Sequence, residues 1–280
     1  MKNWQEEYRT TERDTIKKEI LCENNYFSLE NEIKYTGSSQ IKDFLKCEAC
    51  ALAKLKGEWI EETSKAMLVS SYIDEAVSGT LDNFKEKHPE IFLKNGDLKA
   101  DYKIAEEVLN QMQQDEMFMK YLNGEHQIIM TGEISGVPVK IKIDSFHKDK
   151  CIVDLKAMAT LQPQWSEKEH KRLNFCDNYR YTLQAALYQE IVRQNTGKQL
   201  PFIIAVCTKE KYSQRALLQI DQEIMNAELE FLKAFLPYIQ DLKQNKIEPK
   251  KCNSCNWCIS QQKTYKIWWY TDYFKQNYNE

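Results

Sequence analysis

The sequence lacks the features that direct a chain to or across a membrane. No run of apolar residues approaches the roughly 20 residues that a helix needs to span a bilayer. The opening residues, MKNWQEEYRTTERD, contain neither the apolar core of a secretion signal nor the Arg-rich, acid-poor composition of a transit peptide. We therefore expect a cytoplasmic protein without a membrane partner.

A large excess of charge of one sign is also missing. The formal net charge is -3 over 280 residues, and the isoelectric point is near 6.0. Proteins that coat nucleic acid through bulk charge carry a large excess of lysine and arginine, so this class is excluded and any DNA contact must be local. The sequence shows no internal repeat, and its 42% hydrophobic content is enough for a substantial core.

The hydrophobic pattern predicts helices in the first half of the chain. The first 35 or so residues are polar and aperiodic, and we expect residues 1–35 to form an N-terminal arm. Beyond them, apolar residues recur at spacings of three and four. This period predicts helices over residues 39–56, 63–77 and 100–122.

The period changes to two between residues 127 and 158, which predicts a three-stranded antiparallel meander. Its turns fall at Gly136 to Pro138 and at the HKDK sequence. The pattern further downstream predicts, in order, a helix over about 175–194, strands over 201–208 and 216–220, and a helix over about 222–244. Strands enclosed by helices in this order indicate a mixed α/β protein.

A carboxylate and a lysine share one face of the third predicted strand. Asp154 and Lys156 are two residues apart, so both side chains leave the same side of the strand. Asp144 lies on the neighbouring strand across the HKDK turn, and antiparallel pairing can bring it close to Asp154. Two carboxylates can hold Mg2+ or Mn2+, and a lysine beside them can orient or deprotonate a water, which is the chemistry of phosphodiester hydrolysis.

These residues also have a plainer interpretation. Most D-x-K triplets consist of a polar residue near a turn and a solvated lysine, and the DLK sequence fits that description by type. The apolar CIV sequence before Asp154 argues against it, because an ionised group at the end of a central strand is costly without a charged or metal partner. We therefore keep Asp144, Asp154 and Lys156 as candidate catalytic residues.

Three segments together resemble the PD-(D/E)XK exonucleases of phage recombination. The segments are GVPVKIKID (136–144), IVDLK (152–156) and QAALY (184–188), and the likeness is to RecE-like and lambda-exonuclease-like enzymes of the wider RecB-type group. The resemblance implies that Asp144 is the first motif aspartate and that Asp154 and Lys156 form the (D/E)XK element. It assigns Gln184 and Tyr188 to the QxxxY motif, and residues at this spacing share one helix face. The resemblance thus adds both to the catalytic set, in the role of positioning the lysine or DNA.

The resemblance implies a restriction-endonuclease-like α/β core, in which a mixed sheet is flanked by helices with N- and C-terminal helical elaborations. This core would span residues 36–260, followed by a tail over 261–280. The implied activity is Mg2+- or Mn2+-dependent exonuclease cleavage of linear double-stranded DNA from the 5′ end, with a phage single-strand annealing protein as partner in the host cytoplasm. A ring-shaped homo-oligomer is part of the same expectation. The alternatives are a non-catalytic DNA-binding scaffold and a single-strand or flap nuclease.

The metal set has a further candidate on an early helix. Many of the enzymes that the chain resembles carry a G-x-x-x-H element there, whose histidine binds metal; the matching stretch here is SSYID, with Ser70 and Asp74 at the two motif positions. Asp74 is either a metal ligand, since oxygen suits Mg2+ well, or an ordinary polar position on a helix. Glu133 on the first predicted strand is a reserve candidate that would support the site from outside it.

Nine cysteines are many for a cytoplasmic protein, but only three have the spacing of a metal site. Cys252, Cys255 and Cys258 form C-x2-C-x2-C, which lets one short loop present three thiolates. Some RecB-type nucleases hold a [4Fe-4S] cluster with one cysteine before the core and three after it, and the KDFLKC segment resembles the one that carries the first. The resemblance thus implies Cys47 as fourth ligand. Cys50 instead of Cys47, zinc instead of the cluster, and no metal at all remain open, and any metal would act as a structural clasp.

Overall fold

A mixed five-stranded sheet forms the centre of this structure, a computed structural model in which residues 21–166, 169–264 and 266–273 are described. Two further strands form a separate, two-stranded sheet. The strands are, in chain order, β1 (Glu125–Ile134), β2 (Val137–His147), β3 (Cys151–Met158), β4 (Gln164–Ser166), β5 (Lys171–Leu173), β6 (Phe202–Thr208) and β7 (Arg215–Gln219).

Helices precede and follow these strands, as the hydrophobic pattern predicts. They are α1 (Leu29–Lys34), α2 (Ser38–Lys46), α3 (Glu48–Leu55), α4 (Lys65–Val77), α5 (Leu81–Lys87), α6 (Ala100–Gln113), α7 (Glu116–Leu122), α8 (Phe175–Asn178), α9 (Tyr181–Thr196), α10 (Gln222–Lys243) and α11 (Asn256–Ser260). Within the described ranges, no helix has both the length and the apolar character that crossing a membrane requires.

Strand pairing confirms the predicted meander and the mixed sheet. The main sheet has the order β1-β2-β3-β6-β7, with β1, β2 and β3 paired antiparallel. Strand β3 pairs in parallel with β6, and β6 pairs antiparallel with β7. A parallel pair requires a long crossover, and the connection from β3 to β6 contains α9. This crossover packs α9 on the sheet, where it contacts β1, β2 and β6.

Three of the predicted helices were wrong in one respect, because each is divided in two. The divisions fall at Cys47, at Asp115 and near Arg180. Cys47 is extended, and its Sγ accepts the N–H of Cys50; Asp115 likewise caps α7 by accepting an N–H at 3.0 Å. Arg180 has a φ of 53°, in the left-handed region, so the chain turns before α9 begins. A capping side chain accepts a backbone N–H that would otherwise bond within a continuous helix. The hydrophobic period alone does not predict such a cap.

The two faces of the sheet are covered by different helices. Ile152 of β3 belongs to a core with α9 and α10, whereas Val153 and Leu155 belong to a second core with α4, α6 and α7. Side chains alternate along a strand, so Asp154 and Lys156 lie on the same side as Ile152. The face of β3 that carries the candidate catalytic pair is therefore the one that α9 covers.

Part of the predicted N-terminal arm is packed against the sheet. Residues 1–20 lie outside the described residues, but Glu23–Asn25 form a short 3-10 turn and α1 follows it. Lys140 of β2 is only 1% exposed; it donates to the carbonyl of Tyr26 and pairs with Glu32 Oε1 at 2.8 Å. One buried ammonium thus holds this segment against β2.

Replacing Lys140 by methionine should lower the free energy of unfolding by about 3 kcal/mol. The change leaves the Glu32 carboxylate and a backbone carbonyl without their cationic partner, and removing one member of a buried ion pair is strongly destabilising. Urea unfolding of the variant, compared with Lys148→Met at an exposed turn position, measures the difference. Equal midpoints for the two variants would contradict this role of Lys140.

Candidate active site and metal centre

Strands β2 and β3 separate at Asp144. Their pairing covers three positions, from His147 opposite Cys151 to Ser145 opposite Val153, although both strands continue beyond them. Asp144 is the next residue, and its Oδ2 accepts the N–H of Leu155 at 3.0 Å. This carboxylate therefore takes the place that a carbonyl of β2 would have in a continuous ladder. Its position fixes the point at which the two strands open into a crevice.

Asp154 is the most enclosed carboxylate of the crevice. The residue is 2% exposed, its Oδ2 forms an ion pair with Lys156, and its Oδ1 accepts Gln184 Nε2 at 2.7 Å. Gln184 projects from α9 and is itself buried. A strand motif and a helix motif thus meet at Asp154. Gln184 of α9 is hydrogen-bonded to one oxygen of its carboxylate, and Lys156 of β3 is paired with the other.

Burial and neighbouring charges together shift the pKa values of the groups in the crevice. Burial raises the pKa of Asp144, and the neighbouring Asp154 adds to this effect; together they bring it to about 7 against the opposing influence of Lys156. Burial works against the ammonium of Lys156, but the carboxylates of Asp154 and Asp144 outweigh it and hold the pKa of Lys156 above its usual value. The site therefore has an excess of carboxylate over cation, which a divalent ion would balance.

Asp74 approaches the same crevice from α4. One turn earlier, Ser70 Oγ donates to the carbonyl of Ala157 at 3.1 Å and accepts Lys209 Nζ at 2.8 Å, which anchors the helix to β3. Asp74 and Asp144 line one small cavity, and Asp74 Oδ1 is enclosed without a hydrogen bond from the described part of the chain. Burial raises the pKa of Asp74 well above its usual value, and Asp144 adds to the effect.

Of the two remaining candidates, Tyr188 lies at the crevice and Glu133 lies away from it. Tyr188 donates its hydroxyl hydrogen to the carbonyl of Lys142 at 3.0 Å, so it braces β2 two residues before Asp144. Glu133 is exposed near the far end of β1, where it pairs with Pro138 across β1 and β2. Its backbone bonds to Gln194 of α9. The crevice therefore contains the QxxxY motif but not Glu133.

Lys42 is a site residue that the motifs do not reveal. It projects from α2 and donates Nζ to Gln184 Oε1 at 3.0 Å. Its ammonium lies 4.7 Å from the ring centroid of Tyr181, while Lys156 lies 5.0 Å from the same ring. Burial, reinforced by repulsion from Lys156 and opposed by Asp154, lowers the pKa of Lys42 to about 7. Because 142 residues separate it from Gln184 and no short pattern links them, only the tertiary structure identifies it.

Four cysteines from the two ends of the core converge at a second place. The Sγ atoms of Cys47, Cys252, Cys255 and Cys258 all lie within 4.8 Å of one another. The distance from Cys47 to Cys258 is 3.6 Å, and that from Cys252 to Cys258 is 3.9 Å. The C-terminal trio and the break between α2 and α3 thus form one group of thiols, which we call the four-cysteine cluster.

Backbone amides point toward these sulfurs. Cys255 N–H donates to Cys252 Sγ at 3.3 Å, and Cys258 N–H donates to Cys255 Sγ at 3.4 Å. Burial raises the pKa of Cys252, but the amides of Ser254 and Cys255 outweigh burial and lower it to about 6. Cys50 is not in the four-cysteine cluster, and burial, with the neighbouring Cys255, raises the pKa of its thiol to about 12. Converging thiols supported by amide donors are suited to bind a metal.

Comparisons with known proteins agree with this geometry. The family described as "PDDEXK-like domain of unknown function (DUF3799)" matches residues 37–261. A crystal structure of a protein from Eubacterium rectale, named "Putative exonuclease", is 37% identical, with a TM-score of 0.86 over 93% of this chain and 99% of that chain.

Other comparisons add little. A second solved structure, SSO0001, is 11% identical over 71% of this chain and 84% of that chain, and its TM-score of 0.26 is too low to support an argument. No curated protein matches. The two stronger findings confirm the PD-(D/E)XK fold that the motifs predict, and they support a nuclease.

Proposed function

We propose that this chain, which belongs to the PDDEXK-like family of unknown function (DUF3799), is a metal-dependent deoxyribonuclease that degrades linear double-stranded DNA from its ends. The observation that carries the proposal is the convergence of Asp144, Asp154 and Lys156 where β2 and β3 separate. The family and the similar structure named as an exonuclease support the broader class of nuclease.

The carboxylates of the crevice fit a hard divalent cation. Asp144 and Asp154 would hold Mg2+ or Mn2+, and the enclosed, unbonded Oδ1 of Asp74 is a third oxygen available to it. Such ions use one or two protein carboxylates and keep several waters, so no closed cage is required. The bound ion would supply an acidified water and neutralise charge that develops on the phosphodiester.

The chain's own residues would position this chemistry. Lys156 keeps its proton because its pKa is held above the usual value, so it serves as a cation and hydrogen-bond donor to the attacking water or the phosphate. Gln184 holds one oxygen of Asp154, and Tyr188 holds the β2 backbone beside Asp144. In this arrangement Gln184 and Tyr188 fix the carboxylates and do not themselves touch the reacting atoms.

The narrower parts of the proposal come from the resemblance to phage recombination exonucleases. They are resection from the 5′ end, cooperation with a single-strand annealing protein, a ring-shaped oligomer that encircles DNA, and a place in the cytoplasm of the bacterial host. A ring predicts a mass in light scattering that is a multiple of 33.2 kDa. A mass of one chain would remove the ring from the proposal while leaving the chemistry intact.

Digestion of end-labelled DNA tests the proposal directly. Linear duplex, circular duplex and single-stranded DNA are each incubated with the protein in Mg2+, Mn2+ or EDTA. We expect the protein to degrade the linear duplex but not the other two substrates, and to do so only when Mg2+ or Mn2+ is present. The end from which the label is released gives the polarity. Preference for unpaired or tailed DNA would favour a flap nuclease, and cleavage of circles an endonuclease. Binding to DNA without cleavage under any metal would favour the non-catalytic scaffold.

For the four-cysteine cluster we propose zinc with a structural role, in preference to a [4Fe-4S] cluster. Four sulfurs at about 2.3 Å from one tetrahedral ion are about 3.8 Å apart, close to the 3.6 and 3.9 Å found for two of the pairs here. In a [4Fe-4S] cluster each thiolate binds a different iron, so the sulfurs must stand farther apart. A single ion would tie the loop before α11 to the start of α3 across the core.

A further inference from the structure

We propose that Lys42 is a positioning residue of the active site, a role that rests on the proposed nuclease function. Its ammonium sets the orientation of the Gln184 amide, and the oriented amide holds the Asp154 carboxylate. The three side chains form a continuous series, from Lys42 Nζ to Gln184 Oε1 at 3.0 Å and from Gln184 Nε2 to Asp154 Oδ1 at 2.7 Å.

The chemistry of the two end groups leaves one consistent orientation for the amide. Lys42 Nζ donates to the amide oxygen in both of its protonation states, and in the protonated state it has no acceptor for the amide nitrogen. An ionised carboxylate only accepts, so it must face the amide nitrogen. A rotated amide would place two acceptors together at Asp154 and two donors together at Lys42. With Gln184 buried, water has little access to relieve either mismatch.

Packing holds Lys42 in this place. Its neighbour Ile41 on α2 is fully buried, and Phe44 on the same helix is 2% exposed, so the helix cannot turn about its axis without disrupting the core. The ammonium also lies over the ring of Tyr181, the first residue of α9, at 4.7 Å from the centroid. Helix α2 and helix α9 therefore both fix the donor that orients Gln184.

The consequence concerns how Asp154 meets a metal. Its Oδ1 is occupied by Gln184, which leaves Oδ2 as the oxygen that faces Lys156 and the crevice. Without Lys42 the amide oxygen of Gln184 loses this donor, so the amide holds the plane of the Asp154 carboxylate less firmly. Partners that orient a metal ligand typically contribute about 10- to 100-fold in metal affinity or activity.

The test combines metal binding with kinetics for Lys42→Met, which keeps the length and removes the donor. We expect Mn2+ binding, followed by electron paramagnetic resonance, to weaken about 10-fold and the turnover rate to fall by a similar factor, with an unchanged KM for DNA. Lys42→Arg, which can still donate to Gln184, should restore most of both. Lys46→Met, an exposed position one turn later on α2, is the matched control and should behave as wild type.

A double-mutant comparison separates positioning from other roles. If Lys42 acts through Gln184, adding Lys42→Met to Gln184→Leu should cause little further loss of Mn2+ affinity or turnover rate. If the two residues acted independently, the fold-losses of the single variants would multiply in the double variant. A higher KM with a changed salt dependence and intact Mn2+ binding would show a phosphate contact instead and overturn the proposal. So would wild-type behaviour of a folded Lys42→Met. Absence of cleavage by the wild type would refute the nuclease function alone, because Mn2+ binding still decides the role of Lys42.

Discussion

Asp154→Asn should reduce metal-dependent DNA cleavage about 1000-fold or more while leaving DNA binding and folding in place. The substitution keeps the shape and an oxygen that can accept from Gln184, but it removes the charge that pairs with Lys156 and that would hold a divalent cation. Losing metal-based stabilisation of the transition state costs several kcal/mol, and each 1.4 kcal/mol is about tenfold in rate. Single-turnover cleavage of labelled linear duplex measures the loss.

Asp144→Asn is expected to show a comparable loss for a related reason. An asparagine oxygen can still accept the N–H of Leu155, so the opening between β2 and β3 is preserved while the carboxylate charge proposed to bind metal is removed. The control is Asp149→Asn in the turn between these strands, where the carboxylate is half exposed and pairs with Lys198 at 2.9 Å. We expect the control to cleave within about twofold of wild type, since surface ion pairs contribute little. Undiminished cleavage by Asp154→Asn would show that the metal lies elsewhere.

The relation of Asp154 to Lys156 could be predicted because it depends only on strand periodicity. Two residues on one face of a strand stay together whatever the sheet packs against, and the structure places both on the side covered by α9. The antiparallel meander of β1, β2 and β3 could be predicted for the same reason, since the alternation of apolar and polar residues and the turn residues act over only a few positions. Local rules therefore located the centre of the candidate site.

Contacts across long stretches of chain could not be predicted in this way. The hydrogen bond from Lys42 to Gln184 joins residues 142 positions apart, and its partners resemble any lysine and glutamine on amphipathic helices. The hydrophobic pattern did not predict the helix breaks at Cys47 and Asp115, for a different reason. There a side chain accepts a backbone N–H and caps the next helix, while the hydrophobic pattern continues across the break.

The break at Cys47 also explains how a cysteine far from the C-terminal trio comes to face it. The extended backbone turns its Sγ away from the helical path, and that sulfur lies 3.6 Å from the sulfur of Cys258. The pairing of Cys47 with the trio rested on a family resemblance, because spacing supplies only three thiols. The geometry gives this arrangement a physical cause, in that the N-terminal cap of α3 is itself the fourth thiol.

Cys47→Ser should remove the bound metal and lower the melting temperature by about 10 °C or more, whereas Cys50→Ser should leave both unchanged. Structural zinc contributes many kcal/mol to folding, and a loss of 1 kcal/mol lowers the melting temperature by about 2–4 °C in chains of this size class. Cys50 is a sound control because it lies three residues away, donates its N–H to Cys47 Sγ and stands outside the four-cysteine cluster. Elemental analysis of anaerobically purified protein, with thermal unfolding, measures both effects.

The size of this effect follows from what the cluster joins. Cys47 and Cys258 are 211 residues apart, so one ion would close a loop that contains the whole five-stranded sheet and would hold α11 against α3. One zinc per wild-type chain would support a single tetrahedral ion. Bound iron with visible absorbance would instead show that the four cysteines hold a [4Fe-4S] cluster. A colourless, metal-free and fully stable wild type would exclude both. Loss of metal from Cys50→Ser but not from Cys47→Ser would reverse the assignment of the fourth ligand.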